Sequence, residues 1–131
     1  MGCMFNECKS LTYLDLSRFN TSNVTIMESM FNVCESLVRL DLTSFDTSNV
    51  EEMSNMFGGC KQLKTIELSD KWKVNKETST YWMFYECEQL TDIDFSTFTK
   101  RLNPELEYMF RQCPADIKYK FLKETGMLRD E

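Results

Sequence analysis

Apolar and polar positions follow one recurring line along the chain: Met30-Phe31-x-x-Cys34-x-x-Leu37-x-x-Leu40-Asp41-Leu42-Thr43-x-Phe45-Asp46-Thr47-Ser48-Asn49-Val50-x-x-Met53. The line starts again at Met56. The Met-Phe pair stands at Met4-Phe5, Met30-Phe31, Met56-Phe57, Met83-Phe84 and Met109-Phe110, so by subtraction the steps are 26, 26, 27 and 26 residues. A fixed period in this range predicts a repeat solenoid, in which each coil buries its apolar face on its neighbours. The 131 residues hold about five such coils, beginning near 4, 30, 56, 83 and 109, and read as a single repeat domain over 1–131.

Within the first coil, Leu14-Asp15-Leu16-Ser17 alternates apolar and polar as a half-buried strand does, which predicts a strand over 13–17. Asn20-Thr21-Ser22-Asn23 is a turn cluster. The stretch 24–27 is too short to classify by period, so a second short strand and an irregular segment both remain open, and Met30-Phe31 would close the coil in a short helical turn. Aligned coils give inward columns of Cys8, Cys34, Cys60, Cys87 and Cys113, of Leu11, Leu37, Leu63 and Leu90, of Leu14, Leu40, Ile66 and Ile93, and of Leu16, Leu42, Leu68 and Phe95. After Leu68 the pattern departs: Lys71-Trp72-Lys73-Val74-Asn75-Lys76 replaces Phe-Asp-Thr-Ser-Asn-Val with one inserted residue, and the fourth coil carries Arg101-Leu102-Asn103-Pro104. Past Cys113, Pro114 suits a first helical turn, Ile117 and Phe121 are spaced i, i+4, and Gly126 can end the helix, predicting a capping helix over 114–124.

Leu-Asp-Leu-Ser, Phe-Asp-Thr-Ser-Asn-Val and Met-Phe-x-x-Cys together resemble the BspA-like class of leucine-rich repeats, the variant found in many bacterial surface proteins, over roughly residues 3 to 113. The resemblance implies a leucine-rich-repeat-like right-handed β-solenoid with short helical turns, used for attachment or partner binding. It also implies a cell-surface location if the chain is part of a longer member. Read as complete, the chain opens without a basic and apolar leader and is expected to be cytoplasmic.

Charge changes the picture. With 15 Lys and Arg against 21 Asp and Glu the net charge is −6, which argues against direct nucleic-acid binding and for a protein partner with a basic surface. No apolar run approaches the roughly 20 residues of a membrane span. There is no His, which excludes Ser-His and Cys-His nucleophiles, and four Gly leave no phosphate-cradling loop, so no enzyme activity and no cofactor are predicted. The Cys column reads as buried, inert thiols without disulfide or metal.

Two surfaces remain as candidates for partner binding. One is an outward column of carboxylates, Asp15, Asp41, Glu67 and Asp94, with Arg39 and Lys64 as the alternative account of their balance. The other is aromatic: Trp82, Tyr85 and Tyr108 stand where earlier coils have polar residues such as Ser29, Asn32 and Asn55, with Tyr81 and Trp72 nearby. The opposing account returns Trp72 to the core in place of Phe19 and Phe45. The leading function is a non-catalytic protein-binding leucine-rich-repeat module. The alternative is a small acidic intracellular inhibitor, such as a phage or mobile-element product, that blocks a basic nucleic-acid-binding cleft. The uncapped first coil leaves two outcomes, a homodimer through that edge or residues 1–10 folded over it.

Overall fold

A computed structural model of the chain describes residues 1–98 and 108–127. The local conformation follows from two hydrogen-bonded turns in each of the first four repeats. The N–H of Met30 donates to the Met27 carbonyl and that of Cys34 to the Phe31 carbonyl; the pattern recurs at Met56 and Cys60 and again at Met83 and Cys87. The third residue of each turn takes a positive φ, at Ser29, Asn55 and Trp82 in the first turn and at Val33, Gly59 and Glu86 in the second. Type II turns require that conformation. Asn and Gly adopt it at low cost, whereas a bulky or β-branched side chain is strained there, so Trp82 and Val33 are held by their surroundings.

These turns overturn the right-handed, leucine-rich-repeat-like β-solenoid of five coils. The described residues contain one parallel sheet of two short strands, β1 (Arg39–Asp41) and β2 (Thr65–Glu67), the helix α1 (Ala115–Glu124), helical backbone at 108–109, and no solenoid. The physical reason is that left-handed residues and i to i+3 turns recur every few positions, leaving too little extended backbone for continuous ladders. The strand expected over 13–17 is absent, because among the described residues no backbone hydrogen bond pairs 12–16 with the next repeat; the Ser17 N–H bends back to Asp15 Oδ1 at 3.0 Å. At 24–27 only an isolated bridge forms, Ile26 with Glu52, which continues to Ser79. The substitution at 101–104 lies outside the described residues.

Neighbouring repeats are joined by other means. Phe5 N–H donates to the Met30 carbonyl, Phe31 N–H to Met56 and Phe57 N–H to Met83, each at 2.9 Å. This spacing carries a ladder of rings, Phe5, Phe31, Phe57, Phe84 and Phe110, whose successive centroids lie 5.6, 5.8, 5.5 and 5.4 Å apart and nearly parallel. Buried threonines add polar ties: Thr21 Oγ1 donates to the Asp46 carbonyl and accepts the Asp46 N–H, and Thr47 does the same with Lys73. The inward columns behave as core from the second repeat on, with Leu37, Leu40, Leu42, Leu63, Ile66, Leu90, Ile93 and Phe95 buried. Leu11, Leu14 and Leu68 are half-buried. Residues 1–10 form another such turn stacked on the next repeat.

α1 follows Pro114, points Ile117 and Phe121 inward, and ends before Gly126, whose φ is 75°. Phe121 packs on Phe95, Phe98 and Phe110 with centroids 5.1 to 5.8 Å away. Glu124 Oε1 meanwhile accepts the Phe95 N–H. Among the described residues no helix is long and apolar enough to cross a membrane.

Candidate functional site

The turn from Trp82 to Tyr85 is where the aromatic residues meet. Trp82 occupies the left-handed position of its repeat, and the Tyr85 N–H donates to its carbonyl. Its indole lies 5.2 Å from the Tyr85 ring, edge to face, and 5.0 Å from the Tyr108 ring; Tyr81 and Tyr108 are 6.0 Å apart. Tyr81 and Tyr108 are exposed, while Trp82 and Tyr85 are half-buried. Four of the five expected aromatic residues are thus one surface cluster. An open cavity of about 510 Å³ adjoins it, lined by Tyr108, Phe110, Arg111 and Lys118. Arg111 stands at the repeat position of Tyr85, whereas Lys118 lies on α1 and has no repeat signal.

Trp72 does not join this cluster. It is 1% exposed and lies in the core, 6.5 Å from Phe57, so its assignment as a partner-binding residue is corrected. The reason is register: Phe19 and Phe45 follow the last Leu of their columns by three residues and Trp72 follows Leu68 by four. The inserted residue is absorbed before the ring, and the ring still enters the aromatic column.

The carboxylate column has a local structural task. Asp15 Oδ1 accepts the N–H and the hydroxyl of Ser17, Asp41 Oδ1 those of Thr43, and Asp46 Oδ1 those of Ser48; Asp94 Oδ1 accepts the Ser96 N–H. These hydrogen bonds hold the carboxyls of Asp15, Asp41, Asp46 and Asp94 below their usual range. Glu67 is one methylene longer, makes no such turn, and pairs with Arg39 on the neighbouring strand. The Asp-x-Ser/Thr spacing was the signal for these turns.

The pH consequence has a definite sign. A carboxyl whose folded pKa lies below its unfolded value stabilises the fold above that unfolded value, and the contribution is lost as pH falls through the folded pKa. Urea midpoints should therefore hold from neutral pH down to about 4 and drop below it. Thr43→Ala should flatten that drop, because Asp41 then titrates nearer its unfolded value.

The cysteines are hydrogen-bond donors between repeats. Sγ of Cys34, Cys60, Cys87 and Cys113 donates to the carbonyl of Phe5, Phe31, Phe57 and Phe84 at 3.2, 3.1, 3.1 and 2.8 Å. Burial pushes the thiols up, to about 11 for Cys34, about 12 for Cys60 and Cys113, and well above the ordinary value for Cys87. They stay protonated and lack the thiolate that reactivity needs. Among the described residues no group of three or more His, Cys, Asp or Glu is placed to hold a metal ion.

The family model described as "Mycoplasma protein of unknown function, DUF285" matches residues 1–120. No curated protein and no solved structure matches the chain.

Proposed function

The chain belongs to the DUF285 family, a repeat family, and from that premise we propose that it is a non-catalytic protein-binding module. Its contact surface is the cluster of Tyr81, Trp82, Tyr85 and Tyr108. The observation that carries the reading is that this cluster sits on a surface turn whose equivalents hold Ser29, Asn55 and Gly58, so the core does not require the rings. Trp, Tyr and Arg are the residues that dominate binding hot spots, and Arg111 flanks the cluster. The finer resemblance to BspA-like surface repeats supports attachment or partner binding as the setting. A basic partner would meet the Asp15, Asp41 and Asp94 face, whose turn bonds engage Oδ1 and favour the ionised carboxylates.

The test uses substitutions that the backbone tolerates. Trp82→Asn places at the left-handed position the residue that Asn55 supplies one repeat earlier, and Tyr108→Ser removes an exposed ring. The double variant should keep its unfolding free energy within about 1 kcal/mol. It should lose at least roughly tenfold in affinity for a partner captured by the unsubstituted chain and then purified. Equal affinity would remove the cluster from the contact surface.

A further inference from the structure

Between the first and second repeats the backbone hydrogen bonding is interrupted along β1. β1 and β2 pair in parallel, Arg39 with Thr65, Leu40 with Ile66 and Asp41 with Glu67. Thr65 N–H donates to the Val38 carbonyl and Leu42 N–H to the Glu67 carbonyl. In a parallel pair, alternate residues turn both backbone groups toward the same neighbour, so Val38, Leu40 and Leu42 serve β2. The N–H and C=O of Arg39 and Asp41 then face the first repeat. Among the described residues no backbone hydrogen bond joins 12–16 to 38–42, although the same two repeats are bonded at Phe5 to Met30 and at Thr21 to Asp46. Between the two segments lies a groove of about 400 Å³.

The chemistry of its border is specific. Tyr13 and Val38 are 74% and 45% exposed there. Asp15 and Asp41 both line the groove, and each has its Oδ1 engaged by its own turn. Arg39 favours the ionised form of Asp41, and the charge of Asp15 opposes it more weakly. Arg39 lines the groove too, but its guanidinium bonds Glu67. The groove thus combines a strand edge without backbone partners, bounded by the bonds of Ser36 Oγ to the Lys9 carbonyl and of Ser44 Oγ to the Leu16 carbonyl, with apolar surface and two ionised carboxylates.

We propose that this groove is a strand-addition site that takes an extended, lysine- or arginine-bearing segment of a partner protein. The segment's backbone pairs with the free groups of Arg39 and Asp41, its cationic side chains meet the carboxylates of Asp15 and Asp41 beside the exposed ring of Tyr13, and its alternate apolar side chains turn to the opposite face, toward Leu14 and Val38. The site is separate from the aromatic cluster and stands without it.

The probe is the peptide acetyl-Thr-Lys-Val-Lys-Val-Thr-amide, with its Glu-for-Lys counterpart as control, followed by amide hydrogen exchange and chemical-shift titration of the whole chain. In the free protein the amides of Arg39 and Asp41 should exchange at least about a hundredfold faster than that of Leu40, and the Lys peptide should slow them. Asp15→Asn with Asp41→Asn keeps an acceptor oxygen for Ser17 and Thr43 and should weaken the Lys peptide roughly tenfold or more. Trp82→Asn with Tyr108→Ser should leave that affinity unchanged, so the two surfaces fail or hold independently. Equal protection of Arg39, Leu40 and Asp41 in the free protein would overturn the proposal. So would equal binding of the Glu peptide, full affinity in the double Asn variant, or no shift at millimolar Lys peptide.

Discussion

Phe57→Ala is expected to lower the unfolding free energy by about 3–5 kcal/mol, the cost of deleting a buried aromatic ring from a core that cannot close over the gap. Phe57 is fully buried and lies between Phe31 at 5.8 Å and Phe84 at 5.5 Å, with the tilted ring of Trp72 at 6.5 Å. The flanking rings cannot move together, because the backbone bonds from Phe31 to Met56 and from Phe57 to Met83 set the distance between repeats. A cavity therefore persists, and its lining loses dispersion contacts on both sides. Phe5→Ala supplies the internal control: Phe5 is half-buried, and its ring neighbours among the described residues are Phe31, on which it stacks, and the tilted ring of Phe19. Its loss should be clearly smaller in the same urea titration. If Phe57→Ala fell below about 1 kcal/mol, the ring ladder would not be what joins the repeats.

That ladder was legible in the sequence, since a Phe at a constant step must meet its equivalents if successive repeats lie on each other. The buried Leu and Cys columns were legible for the same reason. What the period could not show was the kind of backbone between those columns. Leu14-Asp15-Leu16-Ser17 alternates as a strand does, yet the same letters place a carboxylate two residues before a hydroxyl, and the turn won because Asp15 accepts both donors of Ser17. β1 stayed extended although it carries the same Asp-x-Thr pair, because its bonds to β2 act on residues 38–42 together. The paired left-handed positions were hidden by side chains such as Val33 and Trp82, which local preference places elsewhere.

The aromatic surface was half legible. Reading down one repeat position gave Trp82 and Tyr108, and polar residues in the earlier repeats marked that position as exposed. The step to Lys118 needed the packing of α1 against the last repeat, which brings Lys118 to the cavity beside Tyr108. The cysteine column was read as small apolar filler, and the thiol's hydrogen bond to the preceding repeat had no sequence signal beyond the constancy of Cys itself.

Trp72 is where repeat pattern and individual residue conflict most, and two substitutions separate their contributions. Trp72→Ala empties a site that is 1% exposed beside Phe57 and should cost about 3–5 kcal/mol. Trp72→Phe restores the residue type of Phe19 and Phe45, whose rings stack at 6.3 Å. Two effects oppose each other in that variant. The smaller ring gives up apolar contact, but the indole Nε1 is buried without a hydrogen-bond partner among the described residues, and removing an unsatisfied donor recovers about 1–3 kcal/mol. The lost contact is of similar size, so Trp72→Phe should stay within about 1 kcal/mol of the unsubstituted chain. Urea unfolding monitored by circular dichroism measures both variants, and the remaining indole fluorescence of Trp72→Phe reports Trp82 in the surface cluster alone. A loss of about 3 kcal/mol or more in Trp72→Phe would show that the indole nitrogen is satisfied in the folded chain and that the inserted residue created a bond the other repeats lack.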